Sequence, residues 1–135
     1  FNIESLNVAE TNDSGISRMT IVTRGDDKKI EQVTKQLNKL IDVIKVIDLT
    51  EENFVDRELI LVKMNAEARV REEILRIVDI FRAKVIDVNP DSYTVEITGD
   101  EGKTKGFLDL LKPLGIKEVV RSGRIAISRG IKPIN

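Results

Sequence analysis

The fold is decided by residues 58–98, which read ELILVKMNAEARVREEILRIVDIFRAKVIDVNPDSYTVEIT. The apolar run at residues 58–64 predicts a buried strand. Apolar residues then recur at helical spacing over residues 70–81, with charged residues between them, which predicts an amphipathic helix. Two further strands are predicted at residues 84–88 and 93–98, separated by a proline-containing turn.

Working outward from this stretch, residues 107–114 predict a second helix and residues 117–121 a last strand. The resulting order, β-α-β-β-α-β, is that of the ferredoxin-like split unit, an antiparallel sheet covered on one face by helices. The first half of the chain repeats the back part of this cycle as β-β-α-β, with elements predicted at residues 2–8, 18–23, 30–40 and 43–49.

A Gly-Asp pair that ends a strand in each half supports a duplication of the architecture. Gly25-Asp26 ends a strand in the first half, and Gly99-Asp100 does the same about 74 positions later. A regular spacing of this kind indicates repeated architecture, although any two α/β segments share some of it. The predicted fold class is therefore α+β, with two ferredoxin-like modules in tandem, the first lacking its opening β-α. The predicted domains are residues 1–50 and 51–135, joined by a polar linker at 50–53.

Composition narrows the classes of function. The chain has 135 residues, no cysteine and no histidine, so thiolate chemistry, disulfides and a histidine base are excluded. Carboxylates, hydroxyls and lysines remain, and the four aspartates at positions 42, 48, 87 and 91 match no metal-ligand spacing. These features favour a binding module over an enzyme, with no catalytic residue and no metal site.

The remaining composition bears on partners and location. The formal net charge is -1 and aromatic residues make up 4%, so neither a basic stripe nor a stacking surface for nucleic acid is expected. No apolar run approaches the roughly 20 residues of a membrane span. No signal peptide is recognisable, so a cytoplasmic location is expected.

Several segments, in order along the chain, resemble one family. They are FNIESLNVAETND (1–13), SRMTIVTRGD (17–26), QVTKQLNKLIDVIKVIDLT (32–50), RELILVK (57–63), IFRAKVIDVNPDSYTVEITG (80–99) and RSGRIAISRG (121–130). Together they resemble the regulatory small subunits of acetolactate synthase over nearly the whole length of the chain. A match this extended is far more specific than a short motif.

The resemblance implies that residues 1–50 form an ACT domain, a module that senses small ligands. It implies a subunit without activity of its own, which activates the catalytic large subunit and confers feedback inhibition by valine or a related amino acid in branched-chain amino-acid synthesis. Thiamine diphosphate, magnesium and FAD are then expected only in that partner, and a homodimer or higher assembly is expected through the ACT domains. A stand-alone amino-acid-binding ACT regulator of another protein is the alternative.

The family resemblance also implies that the chain departs from the family at its start, and it indicates a candidate effector-binding site. Full members of the family begin with one more strand, a glycine-containing loop and a helix, and that loop is half of the inhibitor site. Only the other half can be carried over, and it places Asn2 as an effector contact and Ile3 beside it. The alternatives are a turn residue for Asn2 and plain core for Ile3.

Three arginine-bearing features remain open. Arg18 and Arg24 flank a strand, where a solvated face is favoured over a partner contact. The tail at residues 121–130 carries arginines beside glycines and alternating isoleucines, which suits a partner surface or an edge strand equally.

Overall fold

A computed structural model of the chain describes residues 2–40, 42–50 and 53–131. Over those residues the elements are β1 (Asn2–Glu10), β2 (Ser17–Arg24), α1 (Asp27–Asn38), β3 (Phe54–Asn65), α2 (Arg71–Ile80), β4 (Lys84–Val88), β5 (Ser92–Gly99), α3 (Glu101–Gly115), β6 (Ile116–Arg121) and β7 (Ile125–Ser128).

Contacts divide the chain into two compact units. The first unit comprises Phe1–Val55 together with Arg124–Asn135, and the second comprises Asp56–Gly123. The tail strand β7 thus groups with the first unit, although it follows the second in sequence and pairs with β3. The domain boundary between residues 50 and 51 stays a prediction, and the linker residues Glu51 and Glu52 lie outside the described residues.

The second unit has the predicted order β-α-β-β-α-β. Its strands lie in the order β4-β5-β3-β6, with antiparallel pairing throughout. The opening strand β3 is therefore central, flanked by β5 and by the closing strand β6. The α+β class and the ferredoxin-like architecture predicted from this part of the sequence are confirmed.

One face of this sheet carries the core. Alternate residues of β3 and β5 are buried against the inner faces of α2 and α3, as period-2 and helical spacing require. The buried cluster consists of Ile60, Val62, Met64, Val70, Ile74, Ile77, Val78, Val95, Ile97, Phe107 and Leu111. Phe81 and Phe107 add an edge-to-face ring contact with centroids 5.5 Å apart.

The repeated Gly-Asp pair has the same structural role in both halves of the chain. Asp26 caps α1 by accepting a hydrogen bond from the Lys29 amide at 3.0 Å, and Asp100 caps α3 from Lys103 at 2.9 Å. A Cβ added at Gly99 would lie 2.6 Å from the Lys103 side chain, so glycine leaves room for the lysine to fold back. Each Gly-Asp pair lies at the end of a strand, as predicted, and its aspartate also caps the next helix.

The first unit departs from the predicted β-β-α-β order. β1, β2 and α1 are present, but residues 43–49 form no strand. The second unit supplies the physical reason, because its closing strand β6 is held by hydrogen bonds to the opening strand β3. Among the described residues before position 50, no strand corresponds to β3. Residues 43–49 therefore have no neighbour to satisfy their backbone groups in a sheet.

An apolar surface on β1 and β2 is likewise left uncovered. Leu6, Val8 and Met19 lie on one face of the hairpin and are each 53% exposed. In the second unit two helices cover the corresponding face, whereas α1 is the helix that follows the hairpin here. This surface, formed by Leu6, Val8 and Met19, is called the open half-face below.

α2 is followed by a residue with left-handed backbone geometry, and a substitution can test that geometry. Arg82 has φ +55°, its amide donates to the Asp79 carbonyl, and the Ala83 amide donates to the Val78 carbonyl at 2.8 Å. This is the pattern of a Schellman motif, whose left-handed position favours glycine. Because an L side chain is strained there, we expect Arg82→Gly to raise the free energy of unfolding by about 0.5–1 kcal/mol.

Urea unfolding followed by circular dichroism measures this change. Arg76→Gly is the matched control, since Arg76 lies inside α2 with ordinary helical geometry. Glycine within a helix costs about 1 kcal/mol, so the control should be less stable than the wild type. Equal destabilisation by both substitutions would contradict the left-handed assignment of Arg82.

Candidate functional site

The start of β1 carries the two predicted effector residues. The hairpin register places Asn2 opposite Arg24 and Ile3 opposite Thr23. The Thr23 hydroxyl donates a hydrogen bond of 2.8 Å to the Asn2 carbonyl, which fastens the end of the strand. Because successive residues of a strand point to opposite faces, the side chains of Asn2 and Ile3 lie on different sides of the hairpin.

The Ile3 side of the hairpin holds a cavity. Its volume is about 230 Å³, and it lies between the hairpin and α1. The lining residues are Ile3, Ile21, Thr23, Val33, Gln36, Leu37 and Leu40. Ile3 is 52% exposed, so it forms the wall of an open pocket and is not a fully packed core residue. Walls of this composition suit a branched aliphatic group.

The Asn2 side of the hairpin is polar. Arg24 forms an ion pair with Glu4, and its side chain is 80% exposed. The strand pairing is irregular between Ile3 and Ser5, which makes Glu4 the extra residue of a bulge. The structure thus brings Asn2 together with a carboxylate and a guanidinium at one strand end. These groups match the ammonium and carboxylate of a free amino acid in charge.

The same face of the hairpin, further along, contacts the tail. An Nη of Arg18 donates to the Ala126 carbonyl at 2.9 Å, and the Arg124 amide approaches the Ser5 hydroxyl at 3.5 Å. Beyond β7, the Arg129 amide donates to the Asn53 carbonyl at 2.9 Å. Arg18 therefore contacts the chain's own tail. Residues 125–128 form a strand, which is one of the two alternatives predicted for this tail.

An ion pair between buried Glu58 and half-exposed Arg121 in the second unit was not predicted from the sequence. Glu58 is 4% exposed, and Arg121 donates to its carboxylate through Nη2 at 2.5 Å and through Nε at 3.2 Å. Glu58 continues the alternation of Ile60, Val62 and Met64 on the helix-covered face. That period of two was the signal that could have identified it as an inward-facing charge.

The residue after this pair fixes the end of β6 to β3. The Ser122 amide donates to the Leu59 carbonyl at 3.0 Å, and the Leu59 amide donates to the Ser122 hydroxyl at 3.0 Å. Gly123 follows with φ +86°, a left-handed turn that glycine adopts without strain. We call residues Arg121, Ser122 and Gly123 the β6 corner.

The described part of the chain also bears on membranes and metal ions. Its helices include none with the length and apolar character to cross a membrane. Its acidic residues form no group of three or more placed to hold a metal ion.

Comparison with known proteins identifies the family. Residues 57–130 match the family model described as the small subunit of acetolactate synthase, and residues 1–45 match the small subunit-like ACT domain of the same enzyme. The acetolactate synthase small subunit of Aquifex aeolicus is 56% identical over 130 residues, covering 96% of this chain and 68% of that protein. A probable acetolactate synthase small subunit of Archaeoglobus fulgidus is 52% identical over 132 residues, covering 98% of this chain and 82% of that protein.

A solved structure agrees with both matches. The crystal structure of the acetolactate synthase small subunit from Thermotoga maritima superimposes with a TM-score of 0.85 at 41% identity, covering 98% of this chain and 83% of that one. Sequence, domain models and three-dimensional architecture lead to the same result. This chain belongs to the small-subunit family of acetolactate synthase.

Proposed function

We propose that this chain is a regulatory subunit that binds a catalytic large subunit of acetolactate synthase, raises its activity and makes it sensitive to valine. The observation that carries the proposal is the family match over nearly the full length of the chain. The absence of cysteine and histidine from the sequence fits a subunit that performs no chemistry itself. Thiamine diphosphate, magnesium and FAD would then be bound by the partner, where the reaction takes place.

The proposed effector site is the start of β1. The Asn2 amide, with Glu4 and Arg24 on the same side, would bind the charged groups of the amino acid. The cavity beside Ile3 would suit a branched side chain, but it opens on the other side of the hairpin. One monomer therefore offers the polar and apolar halves of a site on opposite faces, and a ligand contacting both needs a complementary surface from elsewhere.

A second copy is the proposed source of that surface. β1 and β2 form a two-stranded sheet, so β1 is an edge strand of that sheet. A two-stranded sheet by itself is marginally stable in water. We propose that β1 strands of two copies meet side by side in a homodimer, with the effector at the seam.

The open half-face needs a further element. In the second unit, the helix following the opening strand covers the corresponding surface. We propose that a β-α segment equivalent to β3 and α2 covers Leu6, Val8 and Met19 in the functional assembly. Its strand would pair with residues 43–49 and complete the sheet.

Regulation would follow from linkage. An amino acid that binds one assembly state more tightly shifts the population toward that state, and it can do so only by its difference in affinity for the two states. Typical coupling free energies of 1–3 kcal/mol correspond to changes of about 5–150-fold. Changes of that size are sufficient for control of a biosynthetic step.

Co-purification with a cognate large subunit tests the proposal. We expect a stable complex whose acetolactate-forming activity exceeds that of the large subunit alone. Valine should lower the activity of the complex and leave that of the isolated large subunit unchanged. The assay uses this chain and, in parallel, a version extended at its start by the β-α segment of a relative.

The outcomes separate the candidate functions. Absence of a complex with either version would refute the regulatory-subunit proposal. Binding of valine to the chain, measured by titration calorimetry, without any effect on the large subunit would instead support an amino-acid sensor that regulates another protein. Turnover by the chain alone would show that it is an enzyme.

A further inference from the structure

We infer that two copies of this chain associate through β4, with the two β4 strands antiparallel across a two-fold axis. In that pairing, Lys84 of each copy lies opposite Asp87 of the other. The contact involves a strand of the second unit, so it does not depend on the proposed effector site on β1 or on the proposed function.

The position of β4 in its sheet makes it a candidate for pairing with another chain. It stands at one end of the strand order, with β5 as its neighbour among the described strands. An edge strand is a template for pairing unless the protein protects it. Its surroundings are apolar as well, because Ile86 is 49% exposed, Val88 is 64% exposed, and Ile80 at the end of α2 is 66% exposed.

A bulge places the two charged residues of β4 on one face of the sheet. Lys84 lies opposite Glu96 of β5 and Asp87 lies opposite Thr94, with a register shift in between. Glu96 and Thr94 are two residues apart, so they point to the same side, away from the buried cluster. Residues three apart in a regular strand point to opposite sides. The extra residue Ile86 therefore brings Lys84 and Asp87 onto one face.

This arrangement of charges is complementary to itself. Directly opposite residues of an antiparallel pair share a face, and opposite charges there stabilise the pairing. A two-fold axis between Val85 and Ile86 sets Lys84 opposite Asp87 of the second copy twice. Asn89 Nδ2 donates to one Asp87 oxygen at 2.8 Å, and a carboxylate accepts more than one hydrogen bond. Lysine on an edge strand discourages general pairing, so the matching aspartate selects this partner.

The same register brings apolar side chains together. One position beyond each charged pair, Ala83 lies opposite Val88 of the second copy. Val88 is on the helix-covered face, because its opposite residue, Tyr93, packs against the buried cluster. On that face α2 ends at Ile80, three residues before Ala83. Pairing through β4 thus covers exposed apolar surface in addition to joining opposite charges.

Disulfide cross-linking of the full chain tests the register, because the sequence contains no cysteine. The double variant Ala83→Cys/Val88→Cys should form a covalent dimer under mild oxidation, detected by non-reducing gel electrophoresis. Opposite residues in an antiparallel pair have Cα atoms about 4.5–5.5 Å apart, a distance that a disulfide spans. Within one copy the two sites are roughly 15 Å apart along the strand, which prevents an internal bond. Either substitution alone should give no covalent dimer.

Charge reversal tests whether Lys84 and Asp87 hold this register. In the cysteine double variant, Lys84→Asp or Asp87→Lys replaces two attractive pairs by two repulsive ones. Each should lower the initial rate of dimer formation at least about fourfold at concentrations where the dimer is incompletely populated. Mixing the two reversed variants restores opposite charges at both ends and should recover the rate. Lys112→Asp, at an exposed lysine on α3, is the matched control and should leave the rate unchanged.

Each outcome supports or overturns the inference. Absence of a covalent dimer in the folded double variant would overturn it, and β4 would then be an edge that its bulge and lysine protect from pairing. Equal yields from the single cysteine variants, or a rate that charge reversal does not lower, would show chance collision and overturn it too. Failure of the mixture to recover the rate would have the same consequence.

A second measurement keeps the inference testable if the cysteine double variant does not fold, as judged by far-UV circular dichroism. Sedimentation equilibrium of the cysteine-free Lys84→Asp and Asp87→Lys variants then applies the same criterion. Their mixture should have a higher weight-average mass than either variant alone. Equal masses for the mixture and the separate variants would overturn the pairing through β4.

Discussion

Asn2→Ala is expected to raise the valine concentration needed for half-maximal inhibition of the complex by at least about tenfold. A hydrogen bond to a charged group contributes roughly 1.5–3 kcal/mol, and 1.4 kcal/mol corresponds to a factor of ten in affinity. Asn2 lies at the exposed end of β1, opposite Arg24, so its truncation should leave folding and the activation of the large subunit unchanged. The measurement is a valine titration of acetolactate formation at saturating substrate.

A matched control and a second substitution sharpen this prediction. Asn38→Ala makes the same change at an exposed position at the end of α1 and should leave valine sensitivity unchanged. Asn2→Asp keeps the size but adds a negative charge. It should preserve sensitivity if Asn2 binds the ammonium group and abolish it if Asn2 binds the carboxylate. Unaltered sensitivity in all Asn2 variants would remove Asn2 from the effector site.

Leu111→Ala is expected to lower the free energy of unfolding by about 2–5 kcal/mol, the largest stability effect anticipated for this chain. Leu111 is 0% exposed and belongs to the buried cluster between the sheet and its two helices. Removing three carbons there loses the transfer free energy of the side chain and leaves a cavity that rigid neighbours cannot fill. Urea unfolding monitored by circular dichroism measures the change.

The adjacent residue provides an internal control. Leu110 is 49% exposed on the same helix, so Leu110→Ala changes the same chemistry without opening a buried cavity. Its cost should remain below about 1 kcal/mol, because surface substitutions rarely exceed this. A similar cost for both variants would mean that α3 does not pack as described.

Only part of the candidate site was predictable from the sequence. Asn2 and Ile3 were proposed from a family resemblance, and that assignment stays a prediction. Their separation onto opposite faces follows from strand geometry, but the cavity behind Ile3 depends on where α1 lies across the hairpin. The ion pair of Glu4 and Arg24 depends on a bulge, which a sequence pattern of this length does not reveal.

The features that the sequence determined by itself are either local or are visible as ordered patterns along the whole chain. Three such features can be read from the sequence: the order of elements in the second unit, the capping aspartates at positions 26 and 100, and the family. They depend on spacing along the chain, on side chains next to a helix start, and on ordered matches. Each of these signals acts over a few residues or over the whole length without requiring knowledge of packing.

Only the tertiary structure decided the features that depend on a distant neighbour. Residues 43–49 have the composition of a strand but form none, because a strand exists only where another strand pairs with it. β7 groups with the first unit because Arg18, Ser5 and Asn53 contact its segment. Glu58 tolerates burial because Arg121, 63 positions away, supplies the opposite charge. Pairing across such distances is set by the arrangement of the folded chain and leaves no local pattern to recognise.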